Sequence, residues 1–205
     1  RCFDRLVAEH ATCIFEETGE LIGCEEIMSA RAATPELATE INSAMAKAAN
    51  YYAAMGYGSF APGNAEGGLT TQEEKSMGAY SKSGSSRISG LIKPGDVPPS
   101  GGLFLLDVVP DGEPQFGFPN ISDNAEIVEL ISSGCHLILF TTGRGSVVGS
   151  AISPVIKICA NPETYDRMAD DMDINAGKII AGTASVGEVG NEIYDSVITI
   201  ARASE

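Results

Sequence analysis

The stretch Phe140-Thr-Thr-Gly-Arg-Gly145 places two hydroxyls and a guanidinium between glycines. Glycine lets the backbone take positive φ and approach a ligand closely, and successive N–H groups in such a turn form an anion-binding nest. Arg144 adds a planar fork that matches a carboxylate or phosphate in two hydrogen bonds. Thr141, Thr142, Gly143, Arg144 and Gly145 are therefore candidate binding residues for a small anion. The plain alternative is a glycine turn carrying a solvated arginine.

A second stretch, Pro62-Gly-Asn-Ala-Glu-Gly-Gly-Leu-Thr-Thr-Gln-Glu-Glu-Lys-Ser76, is a glycine loop that opens a helix. Free N–H groups and the macrodipole make such a start receptive to anions. Lys75 falls on the first turns of that helix beside Glu74, and a desolvated lysine there can act as a base. A solvated, charged helix start is the bland reading. The stretch is no P-loop, because no Gly-Lys-Ser/Thr follows the four spacers, and no GxGxxG opens a strand–helix unit.

Carboxylates gather in Glu17-Thr-Gly-Glu-Leu-Ile-Gly-Cys-Glu25. Glu17, Glu20 and Glu25 can serve as dipole-compensating residues at a helix start or as oxygen ligands for a hard cation. Asp170 to Gly177 lacks the spacing and trailing glutamate of a calcium loop. His136 reads as a core or edge histidine.

The elements that must position these groups alternate. Residues 1–10 end a helix, and Ala11–Phe15 is a short strand. Leu21–Ala33 reads as helical. A longer helix over about 36–55 carries Leu37, Ile41, Ala44, Ala48 and Tyr52 on one apolar stripe. Residues 56–68 form a glycine loop, followed by a helix capped at Thr70 or Thr71. Arg87–Ile92 and Gly102–Val109 are strands, and Asp111–Asn120 is irregular. Helix 124–133, strand 135–140, the glycine loop 141–153, strand 155–159, helix 162–172 and a last helix from about 185 to 203 complete the chain. This alternation predicts an α/β fold, a mainly parallel sheet flanked by helices, with strands 12–15, 103–108, 136–140 and 155–159 in one sheet. Ligands of such sheets sit beyond the carboxyl ends of the strands. Those ends carry Glu16 and Glu17, then Asp107, then Thr141 to Gly145.

Composition narrows the partners. Twenty-eight acids against 13 bases give a formal charge of −15, which repels nucleic acid and anionic membrane. No apolar run approaches the roughly 20 residues of a membrane span. With only seven arginines in the chain, one inside a glycine turn gains weight. Five cysteines without CxxC spacing imply a reducing, cytoplasmic setting. The chain starts without methionine, so it is expected to be a piece of a longer protein.

Taken in order, the 62–76 block, the 140–145 block, Pro154-Val-Ile-Lys157 and Asp171-Met-Asp-Ile-Asn-Ala-Gly177 resemble the galactarate dehydratase / altronate dehydratase family across nearly the whole chain. Ser81-Lys-Ser-Gly-Ser-Ser-Arg-Ile-Ser-Gly90 with Pro94-Gly looks most like the galactarate branch, from which the 111–120 insertion departs. Val148-Gly-Ser-Ala-Ile-Ser-Pro154 is also similar to the related sulfolactate sulfo-lyase large subunit. The resemblance implies a Rossmann-like variant and a hydro-lyase acting on a small anionic hydroxy acid. It also implies a divalent metal, iron(II) with Mn2+ or Mg2+ as substitutes, upstream N-terminal domains and a homo-oligomer. On chemistry and motif position, Lys75 becomes the base with Glu74 beside it. Asn64, Thr141, Thr142, Gly143, Arg144 and Gly145 become substrate contacts, and Glu17 and Glu25 metal ligands. Competing readings are a C–S lyase of the sulfolactate type and a non-catalytic sugar-acid-binding or assembly domain.

Overall fold

A computed structural model describes residues 2–54, 71–113 and 122–203. The helices are α1 (Cys2–Ala8), α2 (Glu25–Ser29), α3 (Pro35–Ala54), α4 (Gln72–Lys82), α5 (Asp123–Ser132), α6 (Pro162–Arg167) and α7 (Val186–Ala203). The strands are β1 (Thr12–Phe15), β2 (Ile88–Ile92), β3 (Gly102–Leu106), β4 (Ile138–Thr142), β5 (Val155–Cys159) and β6 (Ile174–Asn175), with a 3-10 turn over Glu17–Leu21. The fold is α/β, and every strand pair among the described residues is parallel.

The strands form two sheets rather than the single one expected, in the orders β1-β3-β2 and β4-β5-β6. In the first, all five residues of central β3 are buried. Leu103 and Leu105 face Leu37, Ile41 and Met45 of α3 and Met28 of α2. Phe104 and Leu106 face the other way, against Leu130 of α5 and Cys135. Each such leucine contributes about 1.5–3 kcal/mol by leaving water. The stripe predicted on α3 is buried as expected, because its 3.6-residue period turns it toward the sheet.

The second sheet rests Ile156, Ile158 and Ile174 on Ile193, Val197 and Ile200 of α7. Here β4 departs from the buried strand that the apolar run His136–Phe140 predicts. Only Ile138 of its five residues is fully buried, and the strand runs two residues further, through Thr142. β-branched Thr141 and Thr142 suit extended backbone, so both extend the β4–β5 ladder to Cys159. His136 lies exposed ahead of the strand. Between β1 and α3 the expected single helix is a 3-10 turn followed by the short α2, with Gly23 at φ 93° dividing them. All five cysteines are free. Burial pushes the thiols of Cys13 and Cys135 up to about 12 and about 11, so they behave as small apolar groups.

Candidate functional site

Each strand of the first sheet ends in a charge: Glu16 after β1, Asp107 after β3 and Lys93 after β2. A parallel sheet brings these ends to one rim. What stands beyond them divides into two groups.

On the β1 side the 3-10 turn faces α4. Lys82 of α4 donates to both carboxylate oxygens of Glu17, at 2.6 and 2.8 Å. Seven residues earlier, two turns back on the same face, the ammonium of Lys75 stands 3.1 Å from Glu20 Oε2. That contact is an ion pair without hydrogen-bond alignment. α4 is fixed in place by its own start, where Thr71 and Glu74 form a capping box: Glu74 N–H donates to Thr71 Oγ1 at 3.2 Å, and Thr71 N–H donates to Glu74 Oε2 at 3.3 Å. Glu74, expected next to the chemistry, is thus an exposed cap that aims Lys75.

A third element closes this group. α5 starts at the Ser122 cap, and Glu126 lies in its first turn. Burial pushes the Glu126 carboxyl up to about 7, with Glu17 and Asp123 adding to the shift and Lys75 and Lys82 opposing it. Burial likewise pushes Glu20 up to about 7, with Glu17 reinforcing it while Lys75 and Lys82 pull the other way. Glu16 is buried at the head of the turn, and burial together with Glu126, Glu17, Glu20 and Glu129 holds its carboxyl well above the usual range. Burial is the largest single effect on the Lys82 ammonium and opposes it, but Glu17, Glu20 and Glu126 together outweigh burial and raise its pKa. Tyr52 of α3 borders the group. Burial, then Glu20, Glu16 and Glu126, raise its phenol, and a Cβ on Gly19 would lie 3.4 Å from that hydroxyl. Besides Glu20 Oε2, two further buried polar atoms on the same elements, Thr18 Oγ1 and Gln72 Nε2, have no hydrogen-bond partner among the described residues. Unpaired buried polar atoms are costly and collect at functional sites.

Glu17, Glu20 and Lys75 from the sequence reading therefore come together. Glu16, Glu126, Lys82 and Tyr52 complete the group without having been singled out as site residues. Glu16 alone carried a signal, as the residue that ends β1. Glu25 points elsewhere, accepting the Gly23 N–H at 2.9 Å at the start of α2. With Glu17 held by Lys82 and Glu25 by backbone, this pair does not fit as a cation cage. Among the described residues no three His, Cys, Asp or Glu side chains are placed to hold a metal ion. Asn64 lies outside the described residues.

The Thr141–Gly145 turn lies on the second sheet. Thr142 Oγ1 accepts the Gly145 N–H at 3.1 Å, tightening the turn. Gly145 sits at φ 82°, and a Cβ there would collide with Met168 Sδ; only glycine suits that position. Arg144 and Gly143 are exposed. The turn approaches the carboxylates through Ser146, whose hydroxyl is 3.5 Å from Asp123 Oδ2, one helical turn before Glu126.

On the β3 side, Lys47 of α3 and Lys93 both point at Asp107 Oδ2, at 2.6 and 2.8 Å, and both meet Asp111 Oδ1, at 2.8 and 2.9 Å. Val109, just beyond β3, packs against Tyr51 and Tyr52 and so joins the two groups.

The family described as D-galactarate/Altronate dehydratase, C-terminal, matches residues 1–205. The chain belongs to this family. It is 32% identical over 97% of its length to a galactarate dehydratase (L-threo-forming) of Escherichia coli, covering 36% of that protein. It is 31% identical over 98% of its length to an altronate dehydratase of Bacillus subtilis, covering 39%. It is 31% identical over 97% of its length to the (2R)-sulfolactate sulfo-lyase subunit beta of Chromohalobacter salexigens, covering 50%. The chain thus spans half or less of the length of these relatives, all of which are lyases by name. No helix among its described residues is long and apolar enough to cross a membrane.

Proposed function

We propose that this chain supplies the proton-transfer groups of a hydro-lyase that dehydrates a sugar acid such as galactarate or altronate. One observation carries the reading: among the described residues Glu17, Glu20 and Glu126 gather around the ammoniums of Lys75 and Lys82, with buried Glu16 beside them, and Glu20 and Glu126 are pushed up to about 7. Dehydration of a hydroxy acid takes a proton from the carbon α to a carboxylate and gives one to the departing β-hydroxyl. Both transfers are best served by groups whose pKa lies near working pH.

Glu20 receives the α-proton. The Lys75 ammonium beside it stabilises the charge that builds on the enediolate, so its role shifts from the expected base to an electrostatic one, because a proton would have to leave the ion pair first. Glu126 in its acid form protonates the hydroxyl as it leaves as water. The enol product becomes a 2-keto acid, and proton exchange between Glu20 and Glu126 resets the site. Arg144 and the 141–145 amides take the substrate carboxylate.

The divalent metal implied by the family resemblance, iron(II) with Mn2+ or Mg2+ as substitutes, stays part of the proposal for the longer enzyme. No step above passes through it. Upstream domains, self-assembly and a reducing cytoplasmic setting belong to the same proposal. The sulfolactate relative favours one rival, loss of sulfite in place of water, which needs no acid at the leaving group. Assay of the full-length enzyme on a panel of sugar acids and sulfolactate, with the keto acid and sulfite measured separately, tests the reading. Water loss that survives Glu126→Gln, or release of sulfite alone, would sink it.

A further inference from the structure

We propose that Lys47 and Lys93 form an anion cradle in which the Asp111 carboxylate is an internal stand-in for the carboxylate of a small hydroxy acid. Three features separate this group from an ordinary surface ion pair. Both ammoniums converge on one oxygen, Asp111 Oδ1, at 2.8 and 2.9 Å. Both are held from below by Asp107, whose side chain is 5% exposed and accepts from them at 2.6 and 2.8 Å. Asp107 is itself locked, its Oδ1 accepting the Val109 N–H at 3.2 Å. The lysines are therefore preorganised whether or not Asp111 is in place.

Asp111 is the opposite case. Its side chain is 79% exposed, and it sits in an irregular stretch outside any helix or strand. An exposed ion pair contributes little, since water and salt compete for both partners, so exchange of this carboxylate for another costs little. Without Asp111 the two ammoniums outnumber Asp107, leaving one net positive charge in a chain of −15. Elsewhere on this rim each lysine meets a carboxylate of its own, Lys75 with Glu20 and Lys82 with Glu17. The location suits a ligand as well, because Asp107 and Lys93 directly follow β3 and β2 at the end where parallel sheets bind ligands.

The cradle stands apart from the proton-transfer group and does not depend on it; only its identification as a second carboxylate contact for the substrate rests on the dehydratase reading. Titration calorimetry of the chain with tartrate, and separately with inorganic phosphate, tests it. Asp111→Asn should bind tartrate about tenfold or more tightly than the unaltered chain, and Asp111→Asn with Lys93→Gln should lose that gain. Equal tartrate affinity in the unaltered and Asp111→Asn chains, or a gain that survives Lys93→Gln, overturns the cradle. Phosphate preferred over tartrate overturns its assignment to a carboxylate. Should the variants fail to fold, the lysine side-chain 15N resonances of the unaltered chain decide. Tartrate must move Lys47 and Lys93, and movement confined to other lysines, or none, overturns the proposal. Glu20→Gln must leave this binding intact even where it abolishes turnover, so the two readings fail separately.

Discussion

Two ionic groups share one rim, and they are built on opposite balances. Beyond β3, two lysines face two aspartates, and every charge has its complement. Beyond β1, four glutamates face two lysines. Where charges balance, the two lysines hold the Asp111 carboxyl down at about 2. Where acids are buried, and in excess besides, burial first and the neighbouring carboxylates second push Glu20 and Glu126 up to about 7. The first arrangement holds an anion in place, whereas the second holds protons that can move.

The sharpest way to break this contrast is Glu20→Gln in the full-length enzyme. An amide keeps the shape but cannot carry the proton. General acid–base catalysis is worth roughly 100- to 10,000-fold, so kcat should fall by about 100-fold or more. The melting temperature should hold or rise, because one of several like charges has been removed. A melting curve beside the rate decides between roles: near-normal turnover together with a large loss of stability would make the group structural.

Asp107→Asn tests the other side. Removing one partner of a buried ion pair costs roughly 3–5 kcal/mol. Both lysines are partly exposed and retain Asp111, so about 2–4 kcal/mol is expected from denaturant unfolding. A loss as small as a surface pair gives, under about 1 kcal/mol, would remove the anchor that preorganises the cradle.

The contrast also has a pH signature. Glu20 and Glu126 have folded values raised above those of the unfolded chain, so between about 4.5 and 7 the folded state binds more protons. Stability from them is fully present below about pH 4.5 and is lost as pH rises through about 7. The loss should be on the order of 2 kcal/mol between pH 5 and 8. Asp111 runs the other way, with its contribution present above about pH 4 and lost only as pH falls toward about 2. Urea melts at pH 5 and pH 8 should thus show the chain weaker at the higher pH. Glu20→Gln with Glu126→Gln should flatten the difference, and a chain that gains stability over that range would contradict the raised carboxyls.

Much of this was legible in the sequence, and what was not has a physical reason. The stripe Leu37–Ile41–Ala44–Ala48–Tyr52, the Thr71 cap and the apolar runs of β1 and β3 are local patterns, and local patterns survive into the fold. The rim charges Glu16 and Asp107 followed from strand ends alone. The partners did not, because Glu126 meets Glu16 and Glu17, and Lys47 meets Asp107, only after the sheet has closed. The strand pattern predicts one sheet where there are two, since apolar strands look alike whichever neighbour they bond. The apolar run His136–Phe140 predicts a buried strand, yet His136 is exposed and Leu139 and Phe140 are only half-buried, because the run carries no mark of which face α7 leaves open.

That half-open strand bears on the smallest and most specific expectation, Arg144→Lys. Thr142 belongs to β4 and its hydroxyl accepts the Gly145 N–H, so the turn carrying Arg144 is fixed at both ends. Gly145 at φ 82° lets the chain fold back over Met168 and leaves the Arg144 side chain exposed. Lysine keeps the charge there but loses the two-pronged donor geometry. A charge-assisted hydrogen bond is worth about 1.5–3 kcal/mol, and each 1.4 kcal/mol is tenfold. Arg144→Lys should therefore lower kcat/KM about tenfold, chiefly through KM, since a carboxylate remote from the reacting bond is held alike in ground and transition states. Urea unfolding should be unchanged within about 0.5 kcal/mol, as for other exposed substitutions. A drop in kcat equal to that in kcat/KM would place Arg144 at the reacting carboxylate itself, beside Glu20. Unaltered kinetics would leave the turn structural and give the task of gripping the substrate to the lysines beyond β3.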